Sequence, residues 1–203
     1  MAGKQFAGAL AAAALLAAAA GCGSASTKPH PLFARTPFPQ GTPVTAISMP
    51  ALGLAALEPT GWTAPAEERY PPSAAHPGYQ IYETIQAPGA GTLCVFVGSP
   101  APRRLRGSYG AHLRKELSKG SRIMFTRRIA MENGTAILVQ TQRHGKDGER
   151  TLYAGFVNAD VEVLAQCAAQ TPAEQTRQDR ISFEPMISSL RLGAPRRHAL
   201  SSG

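Results

Sequence analysis

The sequence predicts an α+β domain in which an antiparallel sheet meander is flanked by helices. Three observations carry that prediction. Between Ile123 and Ala168 the chain holds four runs of β-forming residues, separated by the turn signals Asn133-Gly134, Gly145-Lys146-Asp147-Gly148 and Asn158-Ala159-Asp160. Tyr109, Leu113 and Leu117 recur at helical spacing in one segment, and Phe183, Met186, Ile187 and Leu190 do so in another. A hydrophobic content of 43% is enough for one real core.

The first element is a leader. Lys4 makes a short basic start, Phe6–Gly21 carries no charge and is mostly Ala with Leu10, Leu15 and Leu16, and Ala19-Ala20-Gly21 leads into Cys22. A basic start, an apolar stretch and small residues before a cut make a secretory signal. With a cysteine directly after the small residues, the segment resembles a bacterial lipoprotein signal. That resemblance implies a diacylglycerol on the Cys22 sulfur, removal of residues 1–21, and usually a further acyl chain, palmitate in kind, on the new amino group. Ala19 stands where the family pattern prefers Leu. Gly23 is not Asp, so in a cell with an outer membrane the resemblance implies sorting to the periplasmic face of that membrane. Two alternatives compete. A plain secretory signal would leave Cys22 as a chance thiol, and a retained membrane helix would need about 18 strongly apolar residues, more than this Ala-rich run supplies.

Residues 22–43 then read as the lipidated cysteine and a Pro-rich tether. Pro29, Pro31, Pro37, Pro39 and Pro43 favour extended backbone and deny donors to a sheet. The single domain is expected over residues 44–193. Ala51–Glu58 has the length of a strand, though its Ala and Leu content would also suit a helix; Pro59-Thr60-Gly61 turns, and Trp62 beside the turn reads as a core plug in preference to a ligand platform. Ala64–Pro77 reads as a loop. Tyr79–Gln86 is rich in β-formers, Pro88-Gly89-Ala90-Gly91 turns it back, and Thr92–Val97, apolar on both faces, should be a central strand covered on both sides.

Pro100-Ala101-Pro102 breaks the chain, and Ser108 can cap a helix over Tyr109–Lys119 with one narrow buried seam. In Ile123–Met131 the odd positions Ile123, Phe125, Ile129 and Met131 share a face, with Arg127 the exception. Asn133-Gly134 is a hairpin turn because both residues tolerate positive φ. The strands Ala136–Gln142, Thr151–Val157 and Val161–Ala168 complete the meander. Thr171-Pro172-Ala173-Glu174 is a capping box with Pro at the first helical position, opening a helix of about two turns. Ser182 should cap a second helix over Phe183–Leu192, which Gly193-Ala194-Pro195 stops. Residues 194–203 read as a disordered basic tail.

This order resembles the PsbP/Mog1-like fold, an antiparallel sheet sandwiched between helices (α/β/α). The residues carrying the likeness are Gly61-Trp62 after the first strand, Cys94–Val97, the Asn133–Val157 hairpins, and Phe183, Ile187, Ser188, Ser189, Leu190 and Arg191. The resemblance implies a domain that binds proteins or membranes, since its members are mostly not enzymes.

Recognisable reaction motifs are missing: the chain has no G-x-S-x-G, no P-loop and no H-E-x-x-H. His30, His76, His112, His144 and His198 are not spaced as metal ligands. Cys94 in LCVFV reads as a buried, inert thiol rather than a nucleophile activated by His112. His112, His144, Glu83 and Asp160 would have to meet in space to make a catalytic site. Once Cys22 is set aside, Cys94 and Cys167 are an even pair that oxidising surroundings can close as a disulfide, and both fall on expected strands. The formal net charge of +8 suits anionic lipid or envelope polymer better than nucleic acid in an exported chain, although solubility alone is the plainer reading. Arg103, Arg104, Arg106, Arg114 and Lys115 are expected either to gather at one end of the first helix and its approach, where they could touch anionic headgroups, or to form a dispersed solvated face.

The expectation is therefore a lipid-anchored envelope protein acting as a non-catalytic binding module. It would have no metal and no cofactor, the membrane and an envelope protein as partners, and neither nucleic acid nor a small-molecule substrate. The alternatives are an envelope hydrolase whose site is invisible in the sequence, and an immunity or chaperone lipoprotein for a toxin.

Overall fold

Alternation of inward and outward residues builds the main sheet. In a computed structural model, which describes residues 34–70, 80–89, 91–101, 109–144, 148–159 and 161–195, the strands are β1 (Val44–Met49), β2 (Leu54–Pro59), β3 (Ala66–Tyr70), β4 (Gln80–Gln86), β5 (Leu93–Pro100), β6 (Ser121–Ala130), β7 (Thr135–Arg143), β8 (Arg150–Asn158), β9 (Val161–Ala168) and β10 (Arg191–Leu192). Seven of them pair antiparallel in the order β3-β4-β5-β9-β8-β7-β6, and β1-β2-β10 form a small second sheet. The expected four-strand meander is the β6–β9 half of the large sheet, and β9 closes onto β5 over its whole length.

Each face of the large sheet is buried by different partners. On one face Ile81, Phe96, Leu138, Leu152, Phe156 and Val163 pack against Phe183, Met186, Ile187 and Leu190, with Leu52 and Leu54 of the small-sheet region. The stripe Phe183, Met186, Ile187 and Leu190 is fully buried, as its spacing predicts, and each such side chain contributes roughly 1.5–3 kcal/mol. On the other face α1 (Tyr109–Leu117) sets Tyr109 and Leu113 against Val139, with Ile123, Ile137, Tyr153 and Leu164 around them. Gly155 lets this helix approach, because a Cβ there would fall 2.7 Å from Tyr109 Cε1 and 2.8 Å from Leu113 Cδ2.

Several expectations need correction. The strand expected at Ala51–Glu58 begins only at Leu54, because residues 50–53 make a turn with Gly53 at φ 65. The Ala64–Pro77 stretch is not all loop: Ala66–Tyr70 pairs with β4 as an edge strand. β5 is central but not evenly covered; Cys94, Phe96 and Gly98 are buried while Leu93, Val95 and Val97 are half-buried. The face shared by Ile123 and Phe125 is broken, because Ile123 pairs with Thr141 and Phe125 with Gln140, leaving Met124 as a bulge. That extra residue sends Ile123 to the α1 side and Phe125 to the opposite core. The Asn133-Gly134 turn forms without positive φ at either residue. Instead, the Asn133 amide donates to Leu192 O at 2.8 Å and accepts from Leu192 N at 2.7 Å.

The last helices also differ. Thr171 caps α2 (Pro172–Gln178) through the Glu174 N–H, as expected. Ser182 caps nothing, because α2 runs without a gap through a π-helical turn (Asp179–Phe183) into α3 (Glu184–Ser188). Pro185 has no N–H to offer one turn back, and the Glu184 N–H reaches five residues back to Asp179 O, widening the helix there. The helix stops at Ser188 instead of Leu192, and Arg191 and Leu192 turn into a short strand against β2.

Residues 34–43, expected as part of the tether, do not hang free of the domain. Residues 34–43 lie against the domain as a strap: Ala34 O accepts from Ala130 N, Arg35 Nη2 donates to Met131 O and Glu132 O, and Thr36 N donates to Ser188 Oγ at 2.9 Å. Phe38 packs on the main core. The prolines suit this role, because Pro37, Pro39 and Pro43 bring no N–H groups that a docked strap would have to satisfy.

Candidate functional site

The densest polar cluster sits where the π-helical turn meets β7. Inward alternation along β7 carries Gln140 to the helix-facing side, and the widened turn sets Asp179 opposite it. Gln140 Nε2 donates to Asp179 Oδ2 at 2.5 Å, and Gln175 Nε2 donates to Asp179 Oδ1 at 2.7 Å. Gln175 is itself pinned to the sheet: its Oε1 accepts from Ala169 N at 2.8 Å, and its Nε2 also reaches Cys167 O. Asp179 is 5% exposed, and burial, the largest influence, pushes its carboxyl up to about 6. The Glu184 carboxylate pushes the same way, while the Gln175 and Gln140 amides and Arg150 oppose it. At the rim, Arg150 donates to Thr176 Oγ1 at 3.1 Å, and Glu184 forms an ion pair with Arg127, whose guanidinium lies over the Phe125 ring.

A carboxyl with so high a pKa is the kind of group a general acid requires. Its bonds, however, tie α2 and the π-helical turn to β7 and the end of β9. Sequence reasoning missed it because Gln140, Gln175 and Asp179 are unremarkable singly; the signal available was the pair Gln175 and Asp179, one turn apart on a helix whose opposite side is charged. A second buried acid is Glu58 at the end of β2, 3% exposed, with burial raising its carboxyl and its Oε2 without a hydrogen-bond partner among the described residues.

The small sheet carries an open groove of about 310 Å³, lined by Ser48, Pro50, Leu54, Arg191 and Leu192. Its floor is held by Asn158, whose amide donates to Leu52 O, Gly53 O and Gly193 O.

Of the residues singled out in the sequence, Cys22, Arg103, Arg104 and Arg106 lie outside the described residues, as do His30, His76, Asp160, His198 and the tail from residue 196. Cys94 and Cys167 stand directly opposite each other on β5 and β9, with Cα atoms 4.1 Å apart, and are joined as a disulfide. Cys94 is thus bonded within the core that α2 and α3 cover, whereas His112 belongs to α1 on the other face, so the two do not form a nucleophile and base. Glu83 faces the same core as Ile81 and Ile85 and is likewise separated from His112 by the sheet. Arg114 and Lys115 occupy the last turn of α1, both exposed, where the helix dipole favours cations. Trp62 packs edge-on against Phe183 with ring centroids 6.2 Å apart, a core contact. Among the described residues no three His, Cys, Asp or Glu side chains are arranged to hold a metal ion, and no described helix is long and apolar enough to cross a membrane.

No protein-family model matches the chain, and no curated protein sequence does. Among solved structures the chain is similar to the solution structure of cyanobacterial PsbP (CyanoP) from Synechocystis sp. PCC 6803, with a TM-score of 0.51 and 11% identity, covering 80% of this chain and 99% of that one. The fold is therefore α+β and PsbP-like.

Proposed function

We propose that this protein is a lipid-anchored module of the bacterial cell envelope, held through Cys22, that works by binding a protein partner and carries no catalytic site. One observation carries the non-catalytic part: the strongest general-acid candidate, Asp179, has both carboxyl oxygens engaged by glutamine amides that fasten helix to sheet. The Cys94–Cys167 disulfide accords with an oxidising compartment outside the cytoplasm. The anchor rests on the Ala19-Ala20-Gly21-Cys22 sequence.

The experiment has two arms. Wild type should enter the detergent phase on Triton X-114 extraction and migrate as the processed form, while Cys22→Ser should stay unprocessed or be released; identical behaviour of the two defeats the anchor. Purified protein should show no turnover of esters, glycans or peptides. A second reading, an envelope hydrolase, is favoured by Glu58, whose buried carboxyl has one oxygen without a hydrogen-bond partner among the described residues. Turnover that is abolished by Glu58→Gln, with folding intact, would establish that reading and end the first.

A further inference from the structure

Among the described residues the two sheets have four edges, and three of them are closed to a further strand. β3 is short and carries Glu67, Glu68 and Arg69. β6 carries the Met124 bulge together with Arg122, Arg127 and Arg128. At β10 the Asn133 amide already takes the N–H and C=O of Leu192. Short length, charge, bulges and a covering group are the devices by which sheet edges refuse another chain. The fourth edge, β1, has none of them. Val44–Met49 pairs with β2 in one unbroken register and contains neither a charge nor a proline.

The direction of its backbone follows from the first pair. Thr60 N donates to Pro43 O, so Pro43, Thr45, Ile47 and Met49 turn their polar groups to β2, while Val44, Ala46 and Ser48 turn theirs outward. All three are exposed, and no strand lies beyond them among the described residues. Their side chains share the outer face of the small sheet with Ala55 and Leu57. Val44 and Leu57 are two of the three large apolar side chains left exposed among the described residues.

We infer that β1 takes up an extended segment of a partner protein as an added antiparallel strand, and that this segment places an apolar residue opposite Ala46 and an acidic residue opposite Ser48. The inference rests on the partner-binding reading above. Main-chain hydrogen bonds supply the affinity of such a contact, and alternate side chains supply its selectivity. The apolar residue falls in the row of Ala46 and Leu57, where the small Ala46 leaves Leu57 uncovered. The acidic residue is set by charge. Glu58 is turned into the core, so Arg191 is the one charge that the strands of the small sheet present outward. No carboxylate pairs with Arg191 among the described residues. Arg191 stands opposite Ala55, and Ala55 opposite Ser48. These two small side chains leave the groove of about 310 Å³ open between the arginine and the free edge. Strands lie about 4.8 Å apart, so a residue opposite Ser48 would sit about 14 Å from Arg191. An extended arginine and an extended glutamate cover that distance from its two ends. A second copy of the chain fits less well, because β1 would bring no carboxylate to Arg191 and each copy carries a formal net charge of +8.

The test uses the full lipidated chain in detergent micelles and acetylated, amidated peptides of alternating threonine and valine that carry a neutral fluorophore. One valine is replaced by glutamate, glutamine or lysine. Fluorescence anisotropy should show the glutamate peptide bound about threefold or more tightly than the glutamine peptide, with lysine weakest and the differences shrinking in raised salt. Arg191→Glu should reverse that order. Ala46→Pro removes an N–H that β2 does not use, so urea unfolding should stay near wild type while every peptide binds about tenfold or more weakly. A glutamate peptide N-methylated at its valines makes the same check without altering the chain, and should bind as weakly. Equal binding of the three peptides overturns the acidic partner, and binding indifferent to N-methylation overturns the edge. Self-association that Ala46→Pro abolishes, with no peptide bound, gives the edge to a second copy and overturns the inference. Mass spectrometry of the recovered peptide separates the inference from the reading it rests on. Intact peptide that never binds overturns the edge alone. Peptide that is cleaved, with the glutamate preference present, ends the non-catalytic reading and keeps the edge.

Discussion

Replacing Asp179 with asparagine tests whether the buried carboxyl supports the fold or strains it. Burial pushes the native pKa from 3.8 to about 6 against the two amides. A native value above the unfolded one means that the stability linked to this proton is fully present below 3.8 and is lost as the pH rises through about 6. The gap between the two values corresponds to roughly 3 kcal/mol, reached by about pH 8. The asparagine carries no charge to desolvate. Its oxygen would face Gln175, which cannot turn over because Ala169 N and Cys167 O hold its amide. Its nitrogen would face Gln140, which rotates its amide to present an oxygen. Asp179→Asn should therefore be more stable than wild type by about 1–3 kcal/mol near pH 8 and equal to it near pH 4. Urea unfolding followed by Trp62 fluorescence is the assay, since this sole Trp reports on Phe183 in the π-helical turn. A variant less stable than wild type by the same amount at every pH would refute the reasoning, because the ionised carboxylate would then be what holds the helix down.

Three further outcomes follow from packing and covalent structure. Gly155→Val should push α1 off the sheet, lowering stability by about 1–3 kcal/mol and raising amide exchange in α1 but not in α2. Asn133→Ala leaves the Leu192 N–H and C=O without their partner and should cost about 1–3 kcal/mol, with faster exchange at Leu192 and Gly193. Cys94→Ala with Cys167→Ala removes a cross-link between residues 73 apart in sequence, which should lower stability by about 2–4 kcal/mol in urea unfolding. In the native wild-type chain a mild reductant and a thiol reagent should modify neither sulfur, because the two residues are 0% and 1% exposed.

Local chemistry in the sequence determined the elements whose signal is periodic or whose turn is short. The β6–β9 meander, the buried stripe of Phe183, Met186, Ile187 and Leu190, the Thr171 cap and the Tyr109, Leu113 seam all follow from side-chain spacing or from a bond made within a few residues. Only the tertiary structure decided what depends on distant partners. Whether residues 34–43 hang free or dock was settled by Ser188, Glu132 and Ala130, all far along the chain. Ala66–Tyr70 has polar composition and becomes a strand because β4 offers it an edge. The Met124 bulge arises from how β6 must register against β7, and one extra residue exchanges the two faces. The Asp179 cluster was out of reach for the same reason. Hydrogen bonds between side chains 39 residues apart, such as Gln140 to Asp179, leave no periodic trace, because each partner is an ordinary polar residue until folding removes the water around it.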